Sequence, residues 1–205
     1  MSSLVRSLVL AIVLVGGVTA CSPENAQTQF ERGRAYEKGQ GVPQDDAQAV
    51  VWFRKAAEQG LAEAQYELGG MYAYGNGVPQ DADQAVVWYR KAAEQGYVKA
   101  QSNLGVMYEN GQGVPQDYKQ AMLWYRKAAE QGYAKAQYYL GLNYANGQGV
   151  PKNDKQAYAW FSVAAANGYA DAVKYRDISA QRLSPTLLAE AQVLATRYFE
   201  YSQPK

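Results

Sequence analysis

The chain has 205 residues, enough for one domain of ordinary size, and it contains no histidine. Its 20 basic and 19 acidic residues nearly balance, which argues against a protein that holds nucleic acid by bulk charge. One cysteine is present, so an intrachain disulfide is excluded and packing alone must hold the fold.

Residues 1–20 have the features of a secretory signal, because Arg6 precedes an apolar run, residues 8–18, that is short for a membrane span. The run leads into Val-Thr-Ala-Cys, residues 18–21, which resembles the lipobox of bacterial lipoproteins. The resemblance implies that Cys21 becomes the lipidated N-terminus, in the outer membrane because no Asp follows it. The domain would face the periplasm or the cell surface. The alternative is an ordinary secretory signal with a spare cysteine.

After a short polar tether, residues 21–27, a unit of 36 residues occurs four times. The tripeptide Gly-Val-Pro and a tryptophan keep this spacing throughout. A fixed period of 20 to 50 residues is typical of a solenoid, in which each unit buries its apolar face on its neighbours. The predicted repeats are residues 28–63, 64–99, 100–135 and 136–171.

Each repeat is predicted to form two helices, here called helix A and helix B. In the second repeat, Ala64, Leu68 and Tyr72 share one face of helix A. A glycine inside a helix costs about 1 kcal/mol relative to alanine, so Gly69 indicates close approach of a neighbouring helix. The following Gly-Asn-Gly-Val-Pro, residues 75–79, predicts a turn.

Helix B of the second repeat is predicted to begin after Asp81, which has Gln84 at capping-box spacing. Gly96 is predicted to end it in left-handed geometry. The same pattern is present in the other three repeats. The predicted buried stripe of helix B consists of Ala85, Trp88, Tyr89, Ala92 and Ala93.

The ends of the array depart from this pattern, as terminal repeats should. Arginine occupies the position of Leu68 in the first repeat, as Arg32, and again after the fourth, as Arg176. Residues 172–205 are predicted to be C-terminal capping helices. The last helix, from Ser184 to about Tyr201, is expected to cover the open end of the solenoid.

The unit Ala-x-x-x-Leu-Gly-x-x-Tyr, followed by Gly-x-Gly-Val, Asp, Trp and Ala-Ala-x-x-Gly, resembles the Sel-one-like repeat, a relative of the tetratricopeptide repeat. The resemblance covers residues 28–171. It implies an all-α fold, a right-handed α-solenoid that binds other proteins or peptides as a scaffold or adaptor. Some relatives have been described as penicillin-binding or β-lactamase-like, but this chain lacks their paired cysteines.

Resemblance to the tetratricopeptide repeat also implies that four helix A positions per repeat line a concave groove. They lie two before, two after, and five and six after the constant leucine. Tyr and Asn there could hydrogen-bond the backbone of an extended peptide, and Arg could meet a carboxylate. The predicted peptide-binding residues are Arg34, Lys38, Tyr66, Tyr74, Ser102, Glu109, Asn110, Tyr138 and Asn146.

No catalytic constellation is present in the sequence. Without histidine there is no Ser-His or Cys-His pair and no histidine-bearing zinc site, and the Gly-x-Gly turns lack the lysine of a phosphate loop. We therefore predict no enzyme activity, metal or cofactor, and a membrane-anchored scaffold of the cell envelope whose partner is a protein or peptide. Two alternatives are an envelope hydrolase acting on peptidoglycan or a β-lactam, and a secreted or surface effector that binds a host protein.

Overall fold

The computed structural model describes residues 24–202, which form ten α-helices and contain no β-strand. The predicted signal peptide and Cys21 lie outside the described residues. None of the ten helices has the length and apolarity required to cross a membrane. The helices are α1 Ala26–Lys38, α2 Asp46–Glu58, α3 Ala62–Tyr74, α4 Ala82–Glu94, α5 Val98–Asn110, α6 Tyr118–Glu130, α7 Ala134–Asn146, α8 Asp154–Ala166, α9 Asp171–Gln181 and α10 Pro185–Tyr201.

Helices α1 to α8 form the four predicted repeats, and each helix packs on the next one along the chain. This arrangement confirms the all-α solenoid. Neighbouring repeats share their cores: Trp88 of the second repeat packs into the cluster around Phe53 of the first, and Trp124 packs into the cluster around Tyr89. Each repeat therefore supplies part of the core of the repeat before it.

The predicted caps of the B helices are present. Asp81 Oδ1 accepts a hydrogen bond from the backbone N–H of Gln84 at 3.0 Å. The capping box is only half formed, because the Asp81 N–H donates to the Tyr72 carbonyl at 2.9 Å. This bond ties the start of helix B to helix A. At the other end of α4, Gly96 has the predicted left-handed geometry, with φ of 89°.

The glycine inside each helix A lies against an aromatic ring, as its place in a helix predicted. A Cβ on Gly69 would lie 2.7 Å from Cδ1 of Tyr89, too close for a real side chain. The neighbouring helix is helix B of the same repeat. Equivalent contacts join Gly33 to Phe53, Gly105 to Tyr125 and Gly141 to Phe161.

Two ladders of polar side chains join successive repeats. Buried Gln65 donates from Nε2 to the Ala57 carbonyl of the preceding repeat at 3.1 Å, and its Oε1 accepts from Gln95 at 2.7 Å. In the second ladder, Arg54 donates to the Tyr72 hydroxyl of the following repeat at 2.5 Å. Both patterns continue along the array, so the constant Gln, Arg and Tyr hold repeat to repeat.

The C-terminal helices differ from the prediction in one respect. Helix α9 closes the end of the solenoid, with the Tyr175 ring 5.5 Å from Tyr138 and 5.6 Å from Phe161. Helix α10 does not cover that end. It turns back beside α8, where Tyr198 stacks on Trp160 with ring centroids 4.3 Å apart. The helix that covers the end is therefore α9 and not the predicted last helix, because Tyr175 of α9 completes the last core cluster.

Candidate functional site

A groove on the helix A face contains a cavity of about 340 Å³ that spans the second, third and fourth repeats. Helices α3, α5 and α7 each contribute side chains to it, and α4 adds the Tyr89 phenol. Three tyrosines, an asparagine and a lysine surround an apolar floor of Val106 and Met107. The lining residues are Ala73, Tyr74, Gln80, Ala82, Tyr89, Asn103, Val106, Met107, Gln112, Lys135 and Tyr139.

The position directly before the constant leucine faces this groove. It holds Asn103 in the third repeat and Tyr139 in the fourth, and both line the cavity. The position two before the leucine packs inward instead. Tyr66, for example, lies between Tyr89 and Tyr97, with ring centroids 5.7 and 5.2 Å away. The prediction placed this position on the groove surface, whereas in the structure it packs inward.

Ser102 departs most clearly from its predicted place in the groove, because it is 1% exposed and its side chain cannot reach a ligand there. The other three repeats have an aromatic residue at this position. In the third repeat, which has no aromatic residue there, the Tyr125 ring is instead stacked by Tyr139 of the fourth repeat, with ring centroids 4.9 Å apart. Within residues 24–202, the Ser102 hydroxyl has no hydrogen-bond partner.

Tyr138 is likewise a packing residue of the last repeat, with its ring 4.7 Å from Tyr169. Glu109 is held inside the solenoid, since its carboxylate accepts from the Tyr125 hydroxyl at 2.6 Å and from Asn143 Nδ2 at 3.1 Å. These residues, like Tyr66, are already committed to contacts within the chain. Their predicted contact with a peptide would require those contacts to break.

The remaining predicted residues are accessible, but they do not form one cluster. Tyr74 is 74% exposed and lines the cavity. Asn110 and Asn146 are exposed at the last positions of α5 and α7. Arg34 and Lys38 lie at the N-terminal end of the groove.

That N-terminal end is charged, and its centre is the half-buried Glu67 on α3. Burial raises the pKa of Glu67 above its ordinary value, and the Glu37 carboxylate raises it further. The opposing cations are Lys99, Arg34 and Lys38. The groove therefore has a charged end on the first two repeats and a mainly aromatic and amide-lined cavity on the later ones.

Burial raises the pKa of the Tyr139 phenol in the cavity above its ordinary value, so this hydroxyl keeps its proton at neutral pH and can donate a hydrogen bond. Beneath the groove, burial followed by the Glu67 carboxylate raises the pKa of the inward-packed Tyr66 to about 12. Burial also raises the pKa of Tyr89 above its ordinary value. At the opposite wall the Lys135 ammonium lies 5.9 Å from the centre of the Tyr139 ring. The cavity thus offers uncharged donors, amide groups and one cation around an apolar floor.

The sequence prediction missed most of the polar residues that line the cavity, which are Gln80, Tyr89, Asn103, Gln112, Lys135 and Tyr139. A signal for two of them was available, because the position before the leucine is Glu31, Glu67, Asn103 and Tyr139 in the four repeats. Constant positions hold neighbours together, so a position this variable is free to face a ligand. No group of three or more acidic or cysteine side chains in residues 24–202 is placed to hold a metal ion.

Comparison with known proteins identifies the repeat family to which this α-solenoid belongs. The family model of the Sel1 repeat matches residues 26–61, 62–97, 98–133 and 134–169, four units of 36 residues or 144 of the 205. The chain belongs to the Sel1 repeat family. The matched units begin two residues before the predicted ones and coincide with the start of each helix A. A comparison with curated proteins found no match.

Solved structures of Sel1 repeat proteins are similar to the chain. The c5321 protective antigen of uropathogenic Escherichia coli, which displays an SLR fold, is 38% identical with a TM-score of 0.80. The match covers 86% of this chain but 38% of the antigen. A Sel1 repeat protein from Oxalobacter formigenes is 33% identical with a TM-score of 0.74, over 91% of this chain and 78% of that one.

Cysteine rich protein B of Helicobacter pylori is a more distant match, 29% identical with a TM-score of 0.51. The match covers 66% of this chain and 98% of the Helicobacter pylori protein. Sel1 repeat folds are generally non-enzymatic protein–protein interaction scaffolds, and such proteins generally bind other proteins. The predicted scaffold role agrees with this general property of the family, and binding of a partner by this chain stays a prediction.

Proposed function

We propose that the protein is a scaffold of the cell envelope that binds an extended peptide segment of a partner in the helix A groove. The observation that carries the proposal is the cavity across α3, α5 and α7, which combines hydrogen-bond donors with an apolar floor. Pockets of this kind fix a ligand through a few polar groups and bind it through apolar contact.

The chemistry of the lining defines the segment that fits. Tyr74 and Asn103 can hydrogen-bond peptide N–H and C=O groups, because a phenol and a side-chain amide each donate and accept hydrogen bonds. Val106 and Met107 accept an apolar side chain, and Met adapts to varied shapes. Lys135 meets a carboxylate of the ligand. We therefore expect a segment that has an apolar residue next to an acidic one.

Peptide selection tests this proposal. A phage-displayed random peptide library is panned against immobilised residues 22–205 and against the same protein with Tyr74, Asn103 and Lys135 changed to Ala. The matched control is Tyr201→Ala, since Tyr201 is 65% exposed but lies on α10 outside the cavity. We expect enriched peptides with an apolar–acidic pair, at least tenfold weaker binding to the triple variant, and no change for the control.

Equal binding to the native protein and the triple variant would place any ligand elsewhere. Failure to enrich any sequence would argue against peptide binding in the groove. The variants remove exposed or half-buried side chains only. The fold is checked by circular dichroism before panning, because a misfolded protein would also lose the ligand.

The membrane anchor is a separate part of the proposal, and it rests on the sequence at residues 18–21. Stable anchoring requires two or more acyl chains, which a lipidated N-terminal cysteine supplies. The test is metabolic labelling with an alkyne palmitate analogue in the host, with Cys21→Ser as the control. Label on the native protein alone supports the anchor, and label on neither protein would contradict it.

Location within the envelope is proposed to be the outer membrane, facing the periplasm or the surface. The similarity to a protein described as a protective antigen gives the surface some support. Protease added to intact cells distinguishes the two orientations. Cleavage in intact cells indicates the surface, whereas cleavage only after permeabilising the outer membrane indicates the periplasm.

A further inference from the structure

The N-terminal end of the solenoid presents a half-buried tryptophan between two cations. Trp88, Trp124 and Trp160 are buried, each packed against the core of the preceding repeat. No repeat precedes that of Trp52 within residues 24–202, and this side chain remains partly exposed. The Arg32 guanidinium lies 4.9 Å from the centre of its indole ring, and the Lys55 ammonium lies 4.1 Å away.

This end is more polar than the equivalent faces of the later repeats. Arg32 occupies the position at which the inner repeats have a fully buried leucine. Gly77 lies against the backbone of the repeat before it, whereas nothing in residues 24–202 lies within 4 Å of a Cβ built on Gly41, so this turn is uncovered in the part of the chain that the structure describes. A polar face with an aromatic ring suits an environment that is partly aqueous and partly apolar better than it suits a protein core.

The chain enters the solenoid at this same end. Glu24 is fixed there, with its carboxylate 3.0 Å from Arg32 Nε and its carbonyl accepting from Gln59 Nε2 at 3.1 Å. Ser22 and Pro23 separate it from Cys21. Each residue of an extended chain spans at most about 3.6 Å, so the Cα of Cys21 can be no more than about 11 Å from that of Glu24.

We propose that the N-terminal end of the solenoid rests on a phospholipid surface, with Trp52 at the level of the headgroups and Lys55 and Arg32 against their phosphates. The inference rests on the proposed anchor at Cys21, since the anchor fixes which end meets the bilayer. Trp rings sit at the boundary between headgroups and acyl chains, and long cationic side chains extend to phosphate from there. The groove of the later repeats then opens away from the membrane.

The experiment attaches the protein to vesicles chemically. Residues 21–205 are coupled through Cys21, the one cysteine of the chain, to a maleimide lipid in vesicles of phosphatidylethanolamine and phosphatidylglycerol. Brominated lipids, which quench tryptophan on contact, replace part of the phospholipid. We expect quenching of the native protein that is lost in Trp52→Phe, since the other three tryptophans are buried.

Two further variants keep the test decisive if Trp52→Phe disturbs the fold. Lys55→Gln is expected to reduce the quenching by about half, through lost attraction to anionic lipid. Lys127→Gln is its matched control, because Lys127 lies 4.2 Å from the Trp124 ring at the same position of the third repeat. A 20-residue Gly-Ser insertion after Ser22 is expected to abolish quenching by lengthening the tether.

Absence of quenching in the native protein, or equal quenching in Trp52→Phe, would overturn the proposal. Undiminished quenching after the insertion would overturn the role of the short tether. Chemical coupling makes this test independent of lipidation in the cell. Failure of the palmitate labelling would therefore refute the anchor, whereas failure of the quenching would refute the orientation of the domain.

Discussion

At its N-terminal end the solenoid leaves the tryptophan of helix B partly exposed, whereas the later repeats bury theirs. At its C-terminal end α9 covers the last repeat and α10 packs beside α8. The N-terminal end is adapted by substitution within the repeat. Arg32 takes the place of leucine and lies over Trp52, and Glu24 pairs with it at 3.0 Å. A solvated face of this kind keeps the end from aggregating but adds little buried surface.

At the C-terminal end the sequence of helix B itself has changed. Val51, Val87 and Leu123 are exposed at equivalent positions of the first three repeats, and the fourth repeat has Ala159 there, fully buried. Its Lys127 equivalent is Val163, so Tyr198 rather than a lysine covers the tryptophan. Helix α10 therefore packs on the repeat in which Val163 replaces the lysine beside the tryptophan.

Removing α10 is expected to cause the largest loss of stability among the changes that distinguish the two ends. A chain ending at Leu183 exposes Trp160, Ala159 and Val163, and burial of one large apolar side chain is worth about 1.5–3 kcal/mol. We expect the free energy of unfolding to fall by roughly 3–6 kcal/mol, measured by urea denaturation. A loss under about 1 kcal/mol would show that α10 is an appendage and that α9 alone completes the C-terminal end.

The second prediction compares alanine substitutions at two equivalent turn glycines, one near each end of the solenoid. Gly41 and Gly149 both have left-handed backbones, with φ of 74° and 75°. A Cβ on Gly149 would lie 2.7 Å from the Tyr118 carbonyl oxygen, but one on Gly41 meets no atom of residues 24–202 within 4 Å. Left-handed backbone costs alanine about 1–2 kcal/mol, and a clash adds about 1–3 kcal/mol.

We therefore expect Gly149→Ala to lower the free energy of unfolding by about 3 kcal/mol, and Gly41→Ala by about 1 kcal/mol. Urea denaturation of both proteins under the same conditions provides the measurement. Equal losses would mean that the turn of the fourth repeat can move away from α6. The close contact between repeats would then be dispensable at the C-terminal end.

Much of the fold could be predicted from the sequence, because repetition makes local signals add up. A glycine such as Gly69 is ambiguous alone, but its spacing identifies it as a contact point, and the structure places Tyr89 there. The course of α10 could not be predicted. Its direction depends on the stacking of Tyr198 on Trp160, a contact between residues 38 apart that no periodicity encodes.

The groove was harder to predict than the fold, since one residue along a helix rotates a side chain by about 100°. That rotation separates buried Ser102 from Asn103 in the cavity wall. Lys135 could not be assigned from repeat positions alone, because the cavity brings it from the first turn of the next helix A. Tyr74 was assigned correctly to the groove face, although its binding of a peptide stays a prediction.

Arg32→Leu tests whether the N-terminal end depends on its arginine for solubility rather than stability. The variant loses a contact with Trp52 and an exposed ion pair, each worth about 1 kcal/mol or less. We expect the free energy of unfolding to change by under about 1 kcal/mol, and self-association to rise, because leucine beside Trp52 creates an apolar patch. Sedimentation velocity over a range of concentrations measures the association.

Arg176→Leu is the matched control at the other end, where the arginine pairs with Asp177 at 2.7 Å. It should remain monomeric, since the core cluster of the last repeat is already covered by Tyr175. Equal association of the two variants would remove the distinction between the ends. If both variants stay monomeric, Arg32 has no role in preventing self-association through the N-terminal face.

The smallest expected effect concerns the charged end of the groove, which belongs to the N-terminal half of the molecule. The pKa of Glu67 is raised in the folded protein, first by burial and then by Glu37. A raised pKa means that the protonated acid favours folding, and that this contribution is lost as the pH rises through the folded-state pKa. At neutral pH the ionised Glu67 is therefore mildly destabilising.

Glu67→Gln should consequently raise the Tm by about 1–2 °C at pH 7, and the difference should disappear as the pH falls below the ordinary glutamate value of 4.5. Thermal unfolding at several pH values measures this, with Glu94→Gln, an exposed residue at the end of α4, as the control. A lower Tm for Glu67→Gln at pH 7 would mean that attraction to Lys99, Arg34 and Lys38 outweighs burial. Ion pairs would then stabilise the groove at this end, in contrast to the aromatic packing at the other.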